Sequence, residues 1–176
     1  MAEGFFNIAI KENPLLSESF TSFSAGIMAM DGDNASNNAI LALKEEWNID
    51  ISLHKAKAIR YEYIKKSYLI LTMTKAHKDA VLQLFPEMKS KVYTLKEYAT
   101  SLLKESSLEE SDKFYGTLDN MGQNDFLKNY SFDFNYDFAF DIPDPYGKPL
   151  DFYKYCAQDI KRAVDIIIKK ASIEAI

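Results

Sequence analysis

One run of residues, Tyr68-Leu69-Ile70-Leu71-Thr72-Met73, constrains this chain more than any other stretch. Apolar side chains follow one another without alternation, so both faces of a strand built from it must be covered, as in the interior of a parallel sheet. Thr74 follows at a position suited to cap a helix running to about Phe85, before Pro86. Lys91 to Leu95 reads as a second short strand, with a helix behind it through Leu103. Strands alternating with helices imply a parallel sheet with helices on its faces, an α/β fold.

The remaining elements follow from period and punctuation. Met1 to Asn13 reads as a helix with Phe5, Ile8 and Ala9 on one stripe, ended by Pro14. Ser19 to Ser24 reads as a strand turned by Ala25-Gly26. Asn34 or Ser36 can cap a helix through Trp47, with Ala39, Ile40, Leu43 and Trp47 on one side. Ile49 to His54 is a loop, Ala56 to Lys66 a short helix, and Leu150 to about Ala171 a long final helix carrying Tyr153, Ile160, Val164, Ile167 and Ile168.

Between Ala99 and Phe140 this rhythm stops. The segment holds eight acidic and three basic residues, a difference of −5 that equals the net charge of all 176 residues. It ends in strict alternation, with Tyr130, Phe132, Phe134, Tyr136, Phe138 and Phe140 separated by smaller or polar residues. A period of two predicts an amphipathic strand from Tyr130 to Phe140. Its six aromatics must cover something, and self-association through this strand is one expectation.

Length suits one domain, residues 1–176, with an insertion at about 100–140. The acidic balance argues against nucleic acid or an anionic membrane as the main partner. No apolar run approaches the roughly 20 residues that span a bilayer, and the first residues lack the basic start of a secretory signal. A single cysteine, Cys156, excludes an intramolecular disulfide and fits a cytoplasmic setting. No metal or cofactor is expected.

Five stretches, in order, resemble the low-molecular-weight protein tyrosine phosphatases and their arginine phosphatase-like bacterial members. Met1-Ala2-Glu3-Gly4 is similar to the start of that family's first helix, and Ser24-Ala25-Gly26 to the end of its second strand. Ile49-Asp50-Ile51-Ser52 with His54 resembles its Gly-Ile-Asp-Ile-Ser-x-His loop, and Leu69 to Met73 its third strand. Asp144-Pro145-Tyr146-Gly147 resembles its general-acid loop, and Lys96-Glu97-Tyr98 adds a weaker match. The resemblance implies a flavodoxin-like parallel sheet and hydrolysis of phosphomonoesters on proteins or small aryl phosphates through a phosphocysteine.

That chemistry needs a thiolate in a Cys-x5-Arg-Ser loop at a helix N-terminus, where amides and the dipole stabilise it and hold phosphate oxygens. It also needs an arginine to grip the phosphoryl group and a carboxylic acid to protonate the leaving oxygen. On the resemblance, Asp144 is the acid, Tyr146 an aromatic wall of the substrate cleft, and Ser24 and His54 residues that orient the phosphate loop. His77 reads as a solvated helix residue.

The segment Cys156-Ala157-Gln158-Asp159-Ile160-Lys161-Arg162 satisfies Cys-x5-Arg literally. It contains no glycine to let backbone wrap a phosphate, Asp159 would repel the anion, and it lies inside a helical apolar pattern. It is therefore read as a helix segment, with Cys156 buried or half-buried. In the family the true loop directly precedes a Pro-Met-Ala-Glu sequence. The expectation is that Met1 is internal to a longer protein, that the chain as it stands lacks the central first strand of the sheet together with nucleophile and arginine, and that it is inactive. The alternative is a non-catalytic relative serving as a protein-interaction module.

Overall fold

A computed structural model describes residues 1–106 and 140–174. The elements are α1 (Ala2–Glu12), α2 (Pro14–Ser17), α3 (Asn37–Trp47), α4 (Tyr61–Lys66), β1 (Ile70–Thr72), α5 (Lys75–Leu84), a 3-10 turn (Pro86–Lys91), β2 (Val92–Thr94), α6 (Leu95–Ser106) and α7 (Leu150–Glu174). Strand β1 pairs in parallel with β2, Ile70 opposite Val92 and Thr72 opposite Thr94. This is the α/β arrangement expected. Among the described residues the sheet has these two strands.

Local signals set most of the boundaries. The Ser36 hydroxyl accepts the Ala39 N–H at the start of α3, and the Thr74 hydroxyl accepts that of His77 at the start of α5. Helix α3 ends on Asn48, whose left-handed backbone (φ 55°) returns its N–H to the carbonyls of Leu43 and Lys44. The turn delivers Ile49, 6% exposed, into the core.

Helix α7 is the spine of that core. Phe152, Cys156, Ile160, Ala163, Val164 and Ile167 recur at helical spacing and are buried against Phe5 of α1, Leu43 of α3, and Leu95 and Ala99 of α6. Phe5 meets Trp47 edge-on, ring centroids 5.0 Å apart. Gly4 lets α1 lie close to Ile51 and Leu43, since a Cβ there would lie 3.0 Å from the Ile51 side chain and 3.3 Å from that of Leu43. A second cluster, Ile64, Val81, Met88 and Val92, packs α4, α5 and the 3-10 turn with β2. Across the main core, Lys96 and Asp159 form a buried ion pair at 3.0 Å.

Two sequence expectations are corrected. Ser19 to Ser24 is not a strand: α2 is followed by a turn and irregular chain, and Gly26 makes only an isolated bridge to Ala58. A strand exists only where a ladder partner exists, and the Ser24 N–H donates to the Glu3 carboxylate instead. The helix expected from Ala56 begins at Tyr61, because the residues before it bond sideways: Ala56 N–H to Asp33 O, Ala58 N–H to the Asp31 carboxylate, and Ile59 N–H to Gly26 O. The strand expected from Tyr130 to Phe140 lies, apart from Phe140, outside the described residues. Phe140 itself stands in a turn.

Candidate functional site

Ser24 and His54 come together at the first turn of α1. The Glu3 carboxylate accepts the Ser24 N–H at 2.8 Å and the Ser24 hydroxyl at 2.6 Å, and lies 3.7 Å from His54 Nδ1. His54 is placed there by its own N–H, which donates to the Ile51 carbonyl. Sequence reasoning quoted Glu3 only as part of a matching tetrapeptide and missed that it joins the other two. Its acidic character in a helix first turn was visible, but its partners are set by tertiary structure.

Asp144 and Tyr146 sit on the loop entering α7. Asp144 is exposed, and its Oδ1 accepts the Tyr146 N–H at 3.0 Å, a local turn that points the loop outward. Gly147 takes φ +74°, a conformation that favours glycine, and Lys148 N–H closes onto Pro145 O. Tyr146 is 81% exposed. It borders, with Gly147, Lys148 and Tyr153, an open cavity of about 400 Å³ against the N-terminus of α3. Asn38 of α3 donates to Lys148 O at 3.1 Å, tying the far end of the loop to that helix.

Cys156 is fully buried on α7, and its thiol donates to Pro143 O at 3.4 Å. Burial pushes it up to about 12, with the Asp159 and Asp144 charges adding. A neutral, enclosed thiol inside a helix cannot attack phosphorus, so this segment is structural. His77 is exposed, as expected. Among the described residues, no cluster of three or more His, Cys, Asp or Glu side chains could hold a metal, and no helix is long and apolar enough to cross a membrane.

The chain belongs to the family of low molecular weight phosphotyrosine protein phosphatases, whose family model matches residues 1–123. Among curated relatives it is similar to a protein-arginine-phosphatase of Geobacillus stearothermophilus, 28% identical over 151 residues, covering 86% of this chain and 76% of that one. A protein-arginine-phosphatase of Bacillus subtilis is 33% identical over 96 residues, covering 54% of this chain and 60% of that protein. Among solved structures, a low molecular weight protein tyrosine phosphatase from T. tengcongensis matches with a TM-score of 0.68 at 31% identity, covering 96% of this chain and 88% of that one. An arginine phosphatase from Geobacillus stearothermophilus matches with a TM-score of 0.69 at 25% identity, covering 98% and 84%.

Proposed function

We propose that this chain carries the general-acid half of a phosphomonoesterase site acting on phosphorylated proteins, with Asp144 as the acid, and that these 176 residues by themselves do not turn over. The observation that carries the reading is the Asp144 to Gly147 loop. It presents a solvent-accessible carboxylate on a short turn braced at both ends, as proton donation to a leaving oxygen requires. Tyr146, the exposed aromatic two residues on, fits a wall for an aryl or guanidino group. Ser24 and His54, joined through Glu3, lie at the N-terminus of α1, where an anion is favoured by the helix dipole. That the two curated relatives are protein-arginine-phosphatases, and a similar solved structure is a protein tyrosine phosphatase, supports a phosphorylated protein as substrate.

Inactivity rests on Cys156. It is the sole cysteine and is buried with a raised pKa, so nothing here can form a phosphocysteine. The same observation supports a second reading, a non-catalytic interaction module. The experiment is phosphate release from phenyl phosphate by the purified chain and its Cys156→Ser variant. Neither should exceed background. Turnover abolished by Cys156→Ser would make that cysteine the nucleophile and overturn the reading. Turnover that survives it would remove the need for a separate nucleophile loop.

A further inference from the structure

We infer that Asp141 is a positioning residue for Asp144, the clamp that fixes where the acid loop starts. This rests on the reading of Asp144 as the acid. The three residues before Asp144 are each held by a different element. The Asp141 carboxylate accepts the Lys75 N–H at 2.6 Å across 66 residues of sequence. The Ile142 N–H donates to Met73 O at 2.8 Å, just beyond β1, and its side chain is buried in the main core. Pro143 O accepts the Cys156 thiol of α7.

Lys75 is the first residue of α5, and its N–H has no partner within the helix. Thr74 serves a different donor of the same turn, the N–H of His77. Two acceptors therefore share one helix start, one local and one brought in by the acid loop. A carboxylate there is also favoured by the helix dipole. Of the three anchors, the Ile142 bond is main chain and cannot be removed by a side-chain change. The Cys156 bond comes from a weak donor. Asp141 is the anchor that can be deleted without opening a hole in the core, because it is only half-buried.

Among the described residues, the Tyr146 N–H bonds to Asp144 Oδ1 and the Lys148 N–H to Pro145 O within the loop, and Asn38 holds Lys148 O. Asp141 lies three residues before Asp144, roughly 10 Å of chain at most, and shares the anchoring of the loop's start with Ile142 and Pro143. A misplacement of about 1 Å at a reacting group can cost on the order of 10²-fold in rate.

The test uses hydrogen exchange of the Tyr146 and Lys148 amides in the 176-residue chain. Asp141→Ala should speed exchange at both by about tenfold or more, an opening change of the size that loss of one charge-assisted hydrogen bond gives. Amides in the centre of α7 should keep their protection. Asp141→Asn, which keeps a carbonyl acceptor, should behave like the unsubstituted chain. Thr74→Ala, which deletes the acceptor of the His77 N–H, should speed exchange in the first turn of α5 only. Unchanged loop amides in Asp141→Ala would overturn the inference, as would equal loosening of the loop by Thr74→Ala, which would reduce Asp141 to an ordinary helix cap. The readout is independent of chemistry, so the role of Asp144 stands or falls separately, on leaving-group kinetics.

Discussion

The Glu3 carboxylate takes both the N–H and the hydroxyl of Ser24, at 2.8 and 2.6 Å. The pair closes the irregular segment after α2 onto the first turn of α1, where a negative charge also meets the positive end of the helix dipole. Glu3→Ala leaves two partly buried donors without their acceptor and should destabilise the chain by about 1–3 kcal/mol. Glu3→Gln keeps a carbonyl acceptor and should cost less than half as much. Urea denaturation of both variants checks the order. Equal losses would mean that the charge alone matters.

Alkali should weaken the fold through Cys156. Its folded pKa is raised to about 12 by burial, while in an unfolded chain it ionises near its ordinary value. Between those values the unfolded state binds fewer protons than the folded one, so stability falls as pH rises. The contribution is fully present below about pH 8.5, the ordinary thiol pKa, and is lost as pH climbs toward 12. Tyr155, also raised to about 12 by burial, adds to the upper part of the same window. Thermal melts between pH 8 and 11 should show a declining Tm whose slope is reduced, and not abolished, in Cys156→Ala. An unchanged slope would mean that the thiol is solvated.

The buried Lys96–Asp159 pair links α6 to α7. Lys96→Met alone strands a buried carboxylate and should cost about 3–5 kcal/mol. The double change Lys96→Met with Asp159→Leu should recover most of that loss, since a well-packed apolar pair of similar volume is often no worse than a buried ion pair. A double-mutant cycle by chemical denaturation measures the coupling. Additive losses would show that the charges do not interact.

What was legible in the sequence was what local chemistry decides. Asn34 or Ser36 announced α3, where the cap is Ser36, and Thr74 announced α5, because a cap acts within three residues. The apolar run around Ile70 announced β1, and the spacing of Ile160, Val164 and Ile167 announced α7. Ser19 to Ser24 was misjudged because a strand is a property of a pair, and its amide went to a side chain instead. The site followed the same division. Asp144, Tyr146, Ser24 and His54 were named by resemblance, while the partners of Glu3 and Asp141 were not legible. Both act across the fold, on Ser24 and on Lys75, and no window of sequence contains both partners.

The role of Asp144 is tested most directly by leaving-group dependence. A strand ending in Cys-x5-Arg-Ser, fused ahead of Met1, would supply the nucleophile and the arginine. Phosphate release would then be compared for phenyl phosphate and p-nitrophenyl phosphate, with Asp144 intact and as Asp144→Asn. A general acid contributes about 10²–10⁴-fold, so Asp144→Asn should slow phenyl phosphate by that factor. The loss should be much smaller for p-nitrophenyl phosphate, whose leaving oxygen needs little protonation. Asp141→Asn, with its carbonyl still able to accept from Lys75, should stay near the parent on both. Equal losses on the two substrates, or no loss in Asp144→Asn, would contradict the assignment of Asp144 as the acid.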